Sequence, residues 1–109
     1  MSRPRRQPDA REVDRFAGLM SPGDDDRQAE AFLARCVVGS TWTARIRTAE
    51  VAATVAARGP LGTLDERTCT CLDLHLARPV PVEPGLRFQI VADDDPGLTA
   101  RGVVRPWKG

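Results

Sequence analysis

Four residues that could bind a metal ion or transfer protons recur at every second position of one short segment. They are Cys69, Cys71, Asp73 and His75, within the run TCTCLDLHLA. If this run is a β-strand, its alternate side chains share a face, so these four point outward and the residues between them point into a core. Thiolate and imidazole suit zinc, and Cys36 would supply a third sulfur if its own strand is adjacent.

The spacing of this segment argues against a metal centre. Strand residues at three successive alternate positions spread over roughly 13 Å, which is too far for them to share one ion. The Cys-x-Cys pair also lacks the Cys-x-x-Cys spacing of zinc sites. His75 has no serine nearby in the sequence to activate as a nucleophile. We therefore expect no enzyme activity, no metal and no cofactor, and we keep Cys69, Cys71 and His75 as a surface thiol and histidine patch.

The composition indicates one ordinary folded domain. The chain has 109 residues, of which 41% are hydrophobic and 28% charged, and its net charge is +1. That charge creates no overall field for nucleic acid or an anionic membrane, so such a ligand would need a local basic patch. No apolar run is long enough to cross a bilayer, and the odd number of cysteines favours free thiols over disulfides. We expect a cytoplasmic protein with no membrane association.

The first twenty residues suggest a tail followed by a helix. Three arginines and two prolines in residues 1–8 predict a flexible basic tail, with residues 9–109 forming a single barrel domain. Within that domain, the spacing of Val13, Phe16 and Met20 predicts a short N-terminal helix over 9–20. Its apolar stripe is expected to dock onto its own barrel, with docking onto a partner as the alternative.

The rest of the sequence changes to short segments with a period of two. Glycine and proline separate these segments and mark the turns. Strands are predicted near 30–38, 41–48, 50–57, 68–77, 86–92 and 98–106. The segment 50–57 is rich in alanine and could also be helical, but its valines favour a strand. Six short strands at this spacing predict an all-β fold, a six-stranded antiparallel β-barrel.

Three separated segments resemble the C-terminal, third domain of elongation factor Tu. They are RTAEVAATV (47–55), ARPVPVEPGLRF (77–88) and TARGVV (99–104), and they occur in the order and nearly the spacing of that family. The resemblance covers roughly residues 41–106 and implies the same six-stranded barrel, here as a stand-alone small protein. The chain has no phosphate-binding loop of the G-x-x-x-x-G-K-[ST] type, so we expect no GTP binding.

The resemblance also implies two kinds of partner. In elongation factor Tu this barrel contacts the T-stem of tRNA on one surface and other protein domains on others. Carried over by position, the RNA-facing surface would include Thr43, Ala52, Arg78 and the turn that begins at Asp93.

The charge pattern favours a protein partner over RNA. Asp93 and Asp94 would repel a phosphate backbone from the turn where the family has basic residues. We therefore expect a non-catalytic module for protein–protein interaction. The alternative is an RNA-binding module that uses Arg78, Arg45 and Arg47, which arginines clustered on one face would favour.

The two tryptophans have different expected positions. Trp42 alternates with small and branched apolar residues and is expected in the core. Trp107 follows Pro106 near the chain end and is expected to close one mouth of the barrel or to anchor a partner.

Overall fold

A computed structural model describes residues 10–22, 26–64 and 67–107 of the chain. These ranges contain one helix, α1 (Asp26–Arg35), and seven strands. The strands are β1 (Arg11–Ser21), β2 (Thr41–Ile46), β3 (Ala49–Arg58), β4 (Gly62–Leu64), β5 (Arg67–Val82), β6 (Arg87–Ala92) and β7 (Asp95–Val104).

Six of the strands close into an antiparallel barrel. The order around the sheet is β1-β7-β6-β2-β3-β5, and β5 returns to pair with β1. The short strand β4 lies outside this ring and forms a hairpin with β5. Closure removes most of the sheet's exposed strand edges, although β1 pairs with β7 only over residues 18–21. The predicted six-stranded antiparallel barrel is therefore confirmed, and five of the six predicted strands, all except 30–38, correspond to β2, β3, β5, β6 and β7.

The N-terminal helix predicted over 9–20 is wrong, because this segment is strand β1. The apolar residues that suggested a helical stripe also fit a period of two, with Phe16, Gly18 and Met20 facing inward. β1 pairs with β5 along one side and with β7 along the other, so it supplies the strand that closes the ring. Tertiary pairing overrides a weak helical pattern here.

The strand predicted over 30–38 is also wrong, because its first part belongs to helix α1. The helix sequence DRQAEAFLAR contains three alanines, an acidic residue in its first turn and Arg35 in its last turn, all of which stabilise a helix. The guanidinium Nη1 of Arg58 donates to the carbonyl oxygens of Leu33 and Cys36, at 2.9 and 3.0 Å, and so caps the helix C-terminus. No helix in the described ranges is long and apolar enough to span a membrane.

The core fills the barrel and extends beneath the helix. Phe32 of α1 is fully buried and its ring lies 5.2 Å from the ring of Trp42, which is buried as predicted. The ring of Phe88 fills the space beside two glycines of neighbouring strands. A Cβ atom at Gly18 or Gly102 would come within 2.5 or 2.7 Å of that ring. These glycines let the phenyl group occupy the barrel interior.

Two turns use positive φ angles. Gly85, between β5 and β6, has a φ of 87°, as a turn before LRF requires. Arg47, in the two-residue turn between β2 and β3, has a φ of 57°. Its guanidinium pairs with Glu83 in the turn between β5 and β6, which ties together two turns at one end of the barrel.

Candidate functional site

The outer face of the barrel carries a group of four arginines on neighbouring elements. We call it the arginine patch: Arg45 on β2, Arg47 in the following turn, Arg87 on β6 and Arg101 on β7. Arg45 lies opposite Gln89 in the pairing of β2 with β6, and Gln89 lies opposite Arg101 in the pairing of β6 with β7. These three residues therefore form one row across three strands, and Arg87 shares their face two positions from Gln89.

The patch has an excess of positive charge. Arg45 pairs with Glu50 at 3.1 Å, and Arg47 pairs with Glu83. Arg87 and Arg101 make no ion pair with any side chain that the structure describes. Arg45 and Glu50 are both more than half exposed, so their ion pair contributes less than about 1 kcal/mol and can exchange for another anion. A shallow, solvated surface of this kind binds phosphate or carboxylate oxygens through guanidinium groups.

Arg78 extends the patch onto β5. Its Nη2 lies 3.4 Å from the backbone oxygen of Glu50, the residue that faces Arg45 in the pairing of β2 with β3. Thr43 and Ala52 face each other one row further along the same two strands. The structure thus brings together the predicted residues Arg78, Arg45 and Arg47, and it places Thr43 and Ala52 beside them.

The acidic turn of Asp93, Asp94 and Asp95 is occupied by contacts within the protein. Arg35 of α1 donates from Nη2 to Asp93 at 2.7 Å and from Nε to Asp94 at 2.9 Å. The hydroxyl of Thr41 donates to the other oxygen of Asp93 at 2.5 Å. Asp95 accepts a hydrogen bond from the backbone N–H of Gly97. One arginine therefore offsets part of the turn's charge and fixes two of its three carboxylates.

The acidic turn also lies at a distance from the arginine patch. Asp93 follows Gln89 by four positions, so their Cα atoms are separated by roughly 13 Å along β6. The Debye length at 0.1 M salt is about 10 Å, so the turn weakens binding of an anion at the patch only in part. The expectation that the turn opposes RNA thus applies to that end of the barrel rather than to the patch.

The thiol and histidine patch has the predicted alternation but no metal geometry. Thr70, Leu72, Leu74 and Leu76 are buried, Cys69 and Cys71 are half-buried, and Asp73 and His75 are exposed. Among the described residues, no group of three or more histidine, cysteine and acidic side chains is arranged to hold an ion. Arg105 donates from Nη1 to the Cys71 sulfur at 3.3 Å.

Cys36 belongs to the core rather than to this patch. Its side chain is fully buried behind helix α1, whereas Cys69 and Cys71 face outward, so the expectation of a third sulfur for a shared ion is wrong. Burial raises the pKa of the Cys36 thiol to about 11, against a smaller opposite effect of Arg58 and Arg35. The thiol is therefore protonated and inert near neutral pH.

Trp107 packs against the core from outside the strands. It is half-buried against the hydrophobic cluster, and the guanidinium of Arg11 lies 5.0 Å from its ring centroid. Trp107 and His75 line one cleft, which lies between β1, β5 and the segment after β7 and which we call the Trp107 cleft. The expectation that Trp107 closes a mouth of the barrel or anchors a partner stays a prediction.

The site residues predicted from the sequence did not include Arg87, Arg101 or Arg35. The sequence does contain a signal for Arg87 and Arg101. Phe88, Ile90 and Ala100 are apolar and must face the core, so the residues next to them in each strand must face outward. The role of Arg35 could not be found, because its segment was predicted as a strand and its partners lie on a distant turn.

Comparison with known proteins gives no further assignment. No family model matches the chain, and no curated protein matches its sequence.

Proposed function

We propose that this protein is a non-catalytic RNA-binding module that holds the backbone of a structured RNA on its arginine patch. The observation that carries the proposal is the row Arg45, Gln89 and Arg101, with Arg87 beside it and two of the arginines without an ion pair among described residues. Guanidinium groups bind phosphate oxygens in a bidentate manner, and phosphate contacts supply most of the affinity for RNA.

The resemblance to the third domain of elongation factor Tu supports the same surface. The segment RTAEVAATV covers the turn after β2 and most of β3. ARPVPVEPGLRF leads from β5 through the Gly85 turn into β6, and TARGVV lies in β7. The closed six-stranded barrel is the architecture that the resemblance implies. Thr43, Ala52 and Arg78, carried over as RNA-facing positions, border the arginine patch.

The ligand we propose is a double-stranded stem, such as that of a tRNA. The described residues offer no exposed aromatic ring beside the patch on which a base could stack. Four of the aromatic side chains are buried and the fifth, Trp107, is half-buried: the buried ones are Phe16, Phe32, Trp42 and Phe88. A stem presents its phosphates and 2′-hydroxyls without unstacking its bases. The free cysteines fit action in the reducing cytoplasm.

A titration of a fluorescent RNA hairpin, followed by anisotropy, tests the proposal. We expect the dissociation constant to weaken with salt at a logarithmic slope of about −2 to −4, as two to four phosphate contacts require. The double variant Arg87→Gln/Arg101→Gln should reduce the affinity about tenfold or more and lower that slope by about two. The matched control removes two exposed arginines elsewhere, Arg15→Gln/Arg105→Gln, and should bind like the unmodified protein. Equal losses in the two double variants, or no binding to the hairpin, would refute an RNA site at the patch.

A protein partner is the second candidate, as the sequence itself favours. The observation that supports it is the Trp107 cleft, which is lined by β1, β5 and the segment after β7 and shares no lining residue with the arginine patch.

A further inference from the structure

From the Trp107 cleft we infer a binding site for an acidic, extended peptide segment of a protein partner. The inference rests on the proposal of a protein partner and names the chemistry that this partner presents. It does not depend on RNA binding at the arginine patch.

The cleft lies between β1, β5 and the segment that follows β7. Ala17 on β1 lies opposite Asp73 on β5, and its carbonyl oxygen accepts a hydrogen bond from the backbone N–H of Arg105 at 2.8 Å. The C-terminal segment is therefore held beside β1, and the small side chain of Ala17 forms part of the cleft lining. Trp107 forms part of one wall, and Asp73 and His75 form part of the other.

The dimensions of the cleft fit a short stretch of extended chain. Its volume is about 440 Å³, and its lining runs along β1 from Arg11 to Ala17. Seven strand residues cover roughly 20 Å, the length of about six extended peptide residues. A concave site of this size accepts side chains, whereas the convex backbone of a duplex would contact only its rim.

The charges of the cleft select an acidic ligand. Among the residues that the structure describes, its lining contains three arginines and one carboxylate: Arg11, Arg15, Arg105 and Asp73. None of the three guanidinium groups has a strong partner among the described side chains. Arg11 lies over the indole ring, Arg15 is 3.9 Å from the exposed carboxylate of Asp14, and Arg105 donates to a cysteine sulfur, which is a weak acceptor. Carboxylates of a ligand would satisfy these donors in bidentate geometry.

Side chains rather than backbone must select an acidic peptide, because backbone groups carry no net charge. β1 is paired with β5 along most of its length but with β7 only over residues 18–21, so its residues 11–16 at the cleft have no paired strand on that side among the described residues. Selectivity for acidic residues must therefore come from the guanidinium groups, with the indole as a further contact. Arginine and tryptophan are the residues that most often dominate the binding energy of such interfaces.

A fluorescein-labelled peptide of sequence Glu-Glu-Leu-Glu-Glu-Leu-Glu-Glu tests the inference by anisotropy. The comparison peptide carries glutamine in place of every glutamate. We expect the glutamate peptide to bind the full chain about tenfold more tightly or better at low salt, since each charge-assisted hydrogen bond contributes a factor of this size. The variant Arg15→Gln/Arg105→Gln should lose that advantage, and both substituted side chains are exposed, so the fold should be retained. Thermal melting of the variant verifies this.

The variant Arg87→Gln/Arg101→Gln is the matched control and should keep full affinity for the glutamate peptide. A loss as large in this control would show non-specific attraction and overturn the inference. Equal binding of the two peptides at the cleft would overturn the acidic chemistry while leaving a protein partner in place, and binding of neither peptide would overturn the site. If Arg15→Gln/Arg105→Gln instead abolishes binding of the RNA hairpin, the cleft belongs to an RNA surface and the inference fails.

Discussion

The guanidinium Nη2 of Arg35 lies 2.7 Å from the Oδ1 atom of Asp93, although 58 residues separate the two in the sequence. The contact fastens helix α1 to the turn between β6 and β7. The same guanidinium lies 4.7 Å from the ring centroid of the buried Trp42. The acidic turn, whose sequence predicts repulsion of anions, thus serves as the attachment point of the helix, and the arginine patch lies on the strands.

Replacement of Arg35 by glutamine should therefore destabilise the fold. The variant leaves Asp93 and Asp94 without their cationic partner and removes packing from Trp42, so we expect the free energy of unfolding to fall by about 1–3 kcal/mol. Urea denaturation measures the change. Arg27→Gln on the exposed face of the same helix is the control and should change stability by less than about 0.5 kcal/mol. Similar losses of unfolding free energy in the two variants would show that the contact of Arg35 with the acidic turn does not stabilise the fold.

The buried thiol of Cys36 should make stability fall at alkaline pH. Below pH 9.0 the thiol is protonated in both states and contributes no slope. Between pH 9.0 and about 11 the unfolded chain releases a proton that the native protein keeps, so the free energy of unfolding decreases as the pH rises. The loss should be of the order of 2 kcal/mol across this window.

Urea denaturation at several pH values measures that slope. The chain contains no tyrosine, which removes the commonest competing group. Cys36→Ala should flatten the slope, whereas Cys71→Ala should retain it. A slope that survives in Cys36→Ala would assign the effect to another group.

Gly102 should not tolerate a side chain. An added Cβ would lie 2.6 Å from the Met20 sulfur and 2.7 Å from the Phe88 ring, so Gly102→Ala requires the core to shift. We expect a loss of about 1–3 kcal/mol in the free energy of unfolding, the usual cost of overpacking. Gly97→Ala is the matched control, because its Cβ would meet only Asp95 at an ordinary 3.5 Å. Thermal and urea melts that do not distinguish the two variants would contradict the packing described for Phe88.

Gly85 should be sensitive for a different reason. Nothing lies within 4 Å of a Cβ at this position, so space is available, but the φ of 87° is unfavourable for a side chain. Gly85→Val should destabilise the protein by more than about 1 kcal/mol, and Gly85→Asn by less, because asparagine tolerates positive φ. Urea melts of the two variants provide the comparison. An equal and small effect of both would mean that this turn readjusts freely.

Much of the barrel could be predicted because several of its strands alternate buried and outward-facing residues. In β5 the pattern from Cys69 to Leu76 determines both the strand and its buried face, and the Gly85 turn follows from the residues around it. The two wrong predictions of secondary structure, for β1 and α1, both came from short apolar patterns that fit a helix and a strand alike. β1 has apolar residues whose spacing fits either period, and only its pairing with β5 and β7 decides between them. For α1, the high alanine content correctly indicates a helix, whereas the short apolar run around Phe32 wrongly indicates a strand.

The candidate site was predictable only in part for a related reason. Arg45 and Arg47 belong to a recognisable segment, but their grouping with Arg87 and Arg101 depends on β2, β6 and β7 being neighbours in the ring. The contact of Arg35 with the acidic turn depends on a helix that the pattern did not indicate. Strand order and long-range ion pairs are properties of the closed barrel and are not encoded in any local stretch.

The most direct test of RNA binding at the arginine patch is a map of amide chemical-shift changes in the isotope-labelled protein as an RNA hairpin is added. We predict that the largest changes occur along β2, β6 and β7 around Arg45, Gln89 and Arg101, with small changes at the Trp107 cleft. Changes confined to the cleft or to the acidic turn, or no changes at saturating RNA, would contradict the account.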